Sequence, residues 1–168
     1  MAESLRDRFA RIVDLARATL HEIQSSQEID AERAILSIEG ERLLYRIVLK
    51  ETISAKGRRY AYYILRGERV LLGLDNHPDR QALRLRFGAA FAEHLADLIP
   101  HQHSADKTSV SLTPPWTAMQ FLNELDVLFA DLIDEDERRE GLDGSHNSRS
   151  ESRPVWEFHA PAAGLWRL

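Results

Sequence analysis

The stretch RLLYRIVLKETISAKGRRYAYYILRGERVLLGLD, residues Arg42 to Asp75, decides the fold. Runs rich in β-branched and aromatic residues alternate in it with short turns, Ser54-Ala55-Lys56-Gly57 and Arg66-Gly67-Glu68. Strand-like runs joined by so few residues can only reverse on themselves, because a parallel pair needs a long crossover. Working outward toward the N-terminus, AILSI (Ala34 to Ile38) reads as another strand, closed by a turn at Glu39-Gly40-Glu41. Four strands and three turns predict an antiparallel meander. In the strand RRYAYYILR, Tyr60, Tyr62 and Ile64 face one side, and Ala61, Tyr63 and Leu65 the other.

Helical periods flank this core. Leu5, Phe9, Ile12, Val13, Ala16, Leu20 and Ile23 recur at three- and four-residue steps behind Ser4, a good N-cap, so Ser4 to Ile23 reads as an amphipathic helix. Beyond Pro78, Leu83, Phe87, Ala90, Phe91, His94, Leu95 and Leu98 make a second stripe, ended by Pro100, with His94 as a half-buried packing residue. Val110-Ser111-Leu112 is one more short strand, and Pro114-Pro115 opens a helix through about Ile133 with Trp116, Met119, Leu122, Leu125 and Phe129 on its apolar face. The expectation is an α+β domain over residues 1–134: a meander sheet of four or five antiparallel strands packed against N-terminal and C-terminal helices.

The remainder divides by composition. Residues 135–153 are polar and contain Gly and Ser, which is linker composition. Residues 154–168 carry Trp156, Phe158 and Trp166, an apolar tail expected to dock on its own domain, on a second copy to give a homodimer, or on a partner. The chain has no cysteine, which excludes disulfides and thiolate metal sites and suits a reducing compartment. The N-terminal segment is punctuated by charge too often for a secretory signal, and no apolar run is long enough to cross a bilayer. A cytoplasmic protein of bacterial type with no membrane partner is expected. The formal net charge of -5 is unevenly spread. Glu41 to Gly73 holds eight Lys or Arg against three acids, whereas Gln120 to Asp143 holds nine acids against two Arg. A basic middle offers a footprint for phosphate that the total conceals, although a surface whose charges differ by segment explains it equally simply.

Two short motifs carry chemistry. LDNHPDR (Leu74 to Arg80) sets Asp75 and Asn76 before a proline, and LIPHQHSADK (Leu98 to Lys107) sets His101 and His103 one residue apart. In extended backbone, His-x-His projects both imidazoles to one side. Imidazole exchanges protons near neutral pH, and a pair can act in turn as base and acid, as RNA cleavage through the 2′-hydroxyl requires. The same two rings with Asp75, and His77 as a further ligand, would alternatively make a two-His-one-carboxylate metal site. Simpler readings stand beside both: Asp-Asn before His-Pro is ordinary turn chemistry, a His-x-His at a loop edge is commonly solvated, and a tyrosine cluster commonly packs a sheet.

Tyr60-Ala61-Tyr62, then Asp75-Asn76-His77-Pro78, then Pro100-His101-Gln102-His103, between an N-terminal and a terminal helix, resembles the TumE-like toxin family of bacterial toxin–antitoxin modules. That family has a Y-x-Y strand, a D-N-x-P-H-H turn and a P-H-x-H stretch. The likeness covers roughly Ile35 to Leu132. It departs from the pattern where Asp79 and Arg80 replace the histidines expected after Pro78, and where Gln81 to Ile99 separates motifs that lie close together in the family. The resemblance implies a growth-inhibiting toxin encoded beside a helix-turn-helix antitoxin, and the histidine chemistry adds the expectation of a ribonuclease that acts on RNA without metal or other cofactor. His101 and His103 would then be the acid/base residues and Asp75 their orienter. Asn76, Arg58, Arg59 and Arg80 would contact phosphate, and Tyr60 or Tyr62 would stack on an unpaired base. The alternative is a non-enzymatic binding protein that inhibits a nucleic-acid machine by contact or serves as an accessory subunit.

Overall fold

The structure is a computed structural model, and it describes residues 4–105 and 109–132. The polar linker and the apolar tail lie outside the described residues. Helix α1 (Leu5–Thr19) is followed by strands β1 (His21–Ile29), β2 (Arg33–Arg42), β3 (Tyr45–Ser54), β4 (Gly57–Arg66) and β5 (Arg69–Asp75). Helix α2 (Arg80–Phe87) and a 3-10 turn (Gly88–His94) lead to β6 (His101–His103), β7 (Val110–Leu112) and α3 (Ala118–Asn123), with a further helical stretch at 125–132. The seven strands form one antiparallel sheet in chain order. The fold is therefore the expected α+β meander with helices at both ends, built from seven strands rather than four or five.

Helix α1 begins where expected, with the Ser4 side chain accepting the Asp7 backbone N–H. It ends earlier, because Leu20 turns extended and the chain enters β1. That strand, HEIQSSQEI, is almost wholly exposed, so it shows no apolar alternation in sequence. Glu39-Gly40-Glu41 is not a turn. Strand β2 runs through it, and the reversal comes at Leu43-Leu44, where Leu43 takes a φ of 58°. Gly40 serves a close approach instead: a Cβ there would lie 3.1 Å from both the His21 carbonyl oxygen and the Leu20 Cβ. The turns at Ser54 to Gly57 and Arg66 to Arg69 fall as read, with Gly67 at a φ of +59°. The stripe after Pro78 is a helix only as far as Phe87, since Gly88 at a φ of +58° breaks it into the 3-10 turn. The C-terminal helix likewise starts at Ala118, capped by Thr117, rather than at Pro114.

One face of the sheet builds the core. Ala34, Leu36 and Ile38 of β2, Ile47 and Leu49 of β3, and Tyr60, Tyr62 and Ile64 of β4 pack there under Phe9, Ile12, Val13 and Ala16 of α1 and Phe121 and Leu122 of α3. Tyr60 stacks on Tyr62 at 5.0 Å, and Tyr62 on Phe121 at 5.2 Å. A smaller cluster of Ala82, Leu83 and Ile99, with Phe87, Phe91 and Val110 against it, seats α2 beside β7. Among the described residues no helix is long and apolar enough to cross a membrane.

Glu51 lies in the main core with its side chain at 0% exposure. Arg8 of α1 donates to it at 3.1 Å, Arg58 of β4 at 2.9 Å and the Ala118 N–H of α3 at 3.3 Å, and the Tyr62 hydroxyl also donates to it. Burial alone would raise its pKa. The hydrogen bonds from Arg58 and Tyr62 and the charges of Arg58 and Arg8 outweigh burial and hold it below the ordinary glutamate value. Its contribution to stability is therefore complete above the ordinary value of 4.5 and is lost as pH falls through the depressed folded value. Glu51→Ala should cost about 3–5 kcal/mol at neutral pH, because Arg58 would be left in the interior unpaired. A urea midpoint unchanged by the substitution would show that the network carries no stability.

Candidate functional site

The opposite face of the sheet mixes apolar residues with Lys50, Asp75, His101 and His103, and backbone register alone determines what meets there. A cross-strand row runs Ser26, Ser37, Lys50, Ala61, Asp75, His101, Leu112 from β1 to β7. The row beside it runs Glu39, Val48, Tyr63, Gly73, His103, Val110. Directly paired residues of neighbouring strands point to the same side. Asp75 therefore stands next to His101, and His103 stands one pleat away, although the chain between them is long.

The three side chains converge. His101 Nε2 lies 3.3 Å from Asp75 Oδ1, His103 Nε2 lies 3.3 Å from Asp75 Oδ2, and the two Nε2 atoms are 3.0 Å apart. The rings cross at 79°. His101 Nδ1 is 2.7 Å from the Ile99 carbonyl oxygen, which can only accept, so Nδ1 carries a proton. Asp75 also accepts the His77 N–H at 3.0 Å and the Tyr63 hydroxyl at 3.2 Å. Burial pushes the Asp75 pKa up. The hydrogen bond from His103, the charge of His101 and the His77 N–H outweigh burial and keep the carboxyl below its usual range. Burial, then the Asp75 charge, raises the pKa of Tyr63, which therefore remains a donor at neutral pH.

The site is more enclosed than a loop edge. Residues His101–His103 form strand β6, and the side-chain exposures are 0% for His101, 11% for His103 and 4% for Asp75. The placement of the pair at a loop edge, and the simpler reading of it as solvated, are corrected here: pairing on β5 draws both rings into the sheet. His103 Nδ1 is buried and has no hydrogen-bond partner. Desolvation lowers the pKa of His77; Asp75 pulls it up, while Arg59, His101 and Lys50 push it further down. Arg59 and Lys50 are thus close enough to act on His77, and Arg59 is exposed.

Other expected site residues have different work. Asn76 is a structural clamp: its Oδ1 accepts the Tyr60 N–H at 2.8 Å, its Nδ2 donates to the Arg58 carbonyl at 2.9 Å, and the residue is buried, which ties its amide to β4 rather than presenting it to a phosphate. Arg58 is occupied by Glu51, by the Tyr62 hydroxyl at 2.7 Å and by the Trp116 carbonyl at 2.5 Å. Tyr60 and Tyr62 are 1% and 0% exposed, which leaves no ring face for a base, and the packing reading of these tyrosines replaces the stacking one. Arg80 is exposed in the first turn of α2 and makes no hydrogen bond or ion pair with Asp75, His101 or His103. Asp79, where the resemblance wants histidine, caps α2 by accepting the Gln81 and Ala82 N–H groups. His94 is the half-buried packing histidine expected, stacked on Phe87 at 3.6 Å and bonded to Asp97. A cleft of about 670 Å³ lined by Lys56, Arg86, Phe87, Leu98 and Pro100 includes none of the three converging residues.

Reading from sequence passed over Lys50, Tyr63 and Gly73. A Cβ on Gly73 would lie 2.7 Å from the Tyr63 ring, so the glycine is what lets that ring cross β5 and reach Asp75. The available signal was a glycine inside a strand two residues before the aspartate, since such glycines mark close approach. Comparison of the chain with family models, curated proteins and solved structures finds no match.

Gly73→Ala should destabilise the fold by about 1–3 kcal/mol through overpacking against Tyr63. The same substitution should cost less in a Tyr63→Ala background, with a coupling of about 0.5–3 kcal/mol. Strictly additive costs in chemical denaturation would show that ring and glycine are independent.

Proposed function

We propose that this chain is the toxin of a toxin–antitoxin pair and cleaves RNA at Asp75, His101 and His103, with a helix-turn-helix antitoxin as its partner. The observation that carries the reading is the convergence of these three residues, quoted from two separated motifs, within 3.0 to 3.3 Å of one another. Lys50 and Arg59, close enough to act on His77 beside Asp75, supply positive charge suited to a phosphodiester backbone. Arg59 is the phosphate contact of choice, because Arg58 is committed to Glu51 and the core.

Cleavage through the 2′-hydroxyl needs a group to take its proton and a group to give one to the departing 5′-oxygen. Whatever sits among two imidazole nitrogens and a carboxylate at this spacing must be positive, a proton or a metal ion. In the proton version His101 and His103 divide these roles as acid and base, His103 being the ring nearer the surface, and Asp75 orients both. The enclosure of the rings also supports the second reading, a binding protein that inhibits by contact and uses the three residues as a structural pin.

Induced expression in cells, with growth and total RNA followed together, separates the two. Wild type should arrest growth and fragment RNA. Asp75→Asn and His103→Ala, checked for folding by thermal melts, should each lower RNA cleavage by ~100-fold or more. Arg59→Glu should weaken RNA binding and flatten its salt dependence by roughly 0.7 in the log–log slope. Folded variants that arrest growth like wild type would discard the ribonuclease in favour of inhibition by contact.

A further inference from the structure

We propose that Asp75, His101 and His103 bind a divalent first-row transition ion of the zinc type, through both Nε2 atoms and the carboxylate. The inference rests on reading these residues as the working centre, and it departs from the expectation of a site without metal.

The first support is tautomeric. Because His101 Nδ1–H donates to the Ile99 carbonyl, a neutral ring turns a lone pair on Nε2 toward Asp75 and His103. The nearest Asp75 oxygen, 3.3 Å from that nitrogen, is another acceptor. Two lone pairs facing each other in a site with 0% and 4% side-chain exposure repel unless a cation lies between them. A backbone carbonyl fixing one imidazole nitrogen while the other faces inward is how metal-binding histidines are commonly oriented.

Distances give the second. A tetrahedral ion with bonds of about 2.0–2.1 Å holds its ligand atoms about 3.3 Å apart. The two Nε2 atoms here are 3.0 Å apart, each lies 3.3 Å from a different oxygen of Asp75, and one ligand atom from each residue lies within 4.8 Å of the other two. Two imidazoles and one carboxylate are a donor set that zinc and its neighbours accept and that calcium or magnesium, which prefer oxygen alone, does not favour. No thiolate competes, since the chain has no cysteine.

The third is the surrounding support. Asp75 is oriented by the Tyr63 hydroxyl on Oδ2 and by the His77 N–H on Oδ1. The Tyr63 contact exists because Gly73 leaves room for the ring. His103 alone lacks such a bond, its Nδ1 being buried without a partner. That ring is held from one side only, and it is also the most exposed of the three residues.

Full-length protein stripped with chelator and dialysed should be titrated with Co²⁺, followed by visible absorption, and the bound Co²⁺ then displaced with Zn²⁺. Thermal melts should be run with and without Zn²⁺. The expected result is one ion per chain, an absorption typical of few-coordinate Co²⁺, and a melting temperature that rises with Zn²⁺. His101→Ala and Asp75→Asn should abolish the saturable signal, and Tyr63→Phe should weaken affinity by about 10–100-fold. Wild type without saturable binding, or Asp75→Asn binding as tightly as wild type, overturns the ion. If a variant fails to fold, the wild-type titration and the Tyr63→Phe affinity still decide. Binding is measured without RNA, so the two proposals fail separately. An ion bound by a protein that leaves RNA intact sinks the ribonuclease alone, and RNA cleavage undiminished in chelator by a protein that binds no ion sinks the metal alone.

Discussion

The fold is organised around a carboxylate that has no access to water. Glu51 sits on the core face of β3, and its partners arrive from three other elements: Arg8 from α1, Arg58 and Tyr62 from β4, and the first N–H of α3. A buried ion pair is seldom worth more than the apolar packing it displaces, yet removing one member leaves the other stranded. Such a group is therefore a constraint on arrangement more than a source of net stability. Helix α1 cannot slide along the sheet without pulling Arg8 from Glu51. Helix α3 cannot start elsewhere without losing the Ala118 contact. Strand β4 cannot shift by one residue without sending Arg58 and Tyr62 to the wrong face.

That last consequence reaches the site. With Arg58, Tyr60, Tyr62 and Ile64 held inward, Arg59, Ala61 and Tyr63 must point outward. Ala61 is the small residue between Lys50 and Asp75 in the cross-strand row, and Tyr63 is the ring that reaches Asp75 over Gly73. Alternation thus lets one strand carry stability on one face and chemistry on the other. The network around Glu51 and the convergence on Asp75 are separated by the thickness of a single sheet.

Much of this was legible in the sequence, and the failures share a cause. Gly57 and Gly67 gave two hairpins their places because only local backbone was involved. Alternation in β4 divided its side chains correctly because period two is a property of one strand. Strand β1 was invisible because an exposed edge strand needs no apolar residues, and Gly40 misled because its neighbour is Leu20, twenty positions away in the chain. Glu51 was counted as surface charge for the same reason, since its partners lie on three other elements. His101, His103 and Asp75 were named as a group, but their burial was not foreseen: it follows from strand pairing with β5, which local sequence does not encode. Asn76 was misread as a ligand because a side chain that imitates backbone looks, in sequence, like one that is free.

The long connection from Asn76 to Pro100 departs most plainly from the resemblance, and it is also the part that matters least to the geometry. Closing a longer loop costs little more than closing a shorter one, because the entropy grows only with the logarithm of length. The residues of this connection offset much of that cost themselves, with Asp79 capping α2 and Ala82 and Leu83 packing on Ile99. At its two ends the chain is clamped: Asn76 holds the exit of β5 to the backbone of β4, and Ile99 accepts the His101 ring. Between those clamps the pairing of Asp75 with His101 is set by sheet register alone. The connection between β5 and β6 can therefore change in length without moving the atoms that meet.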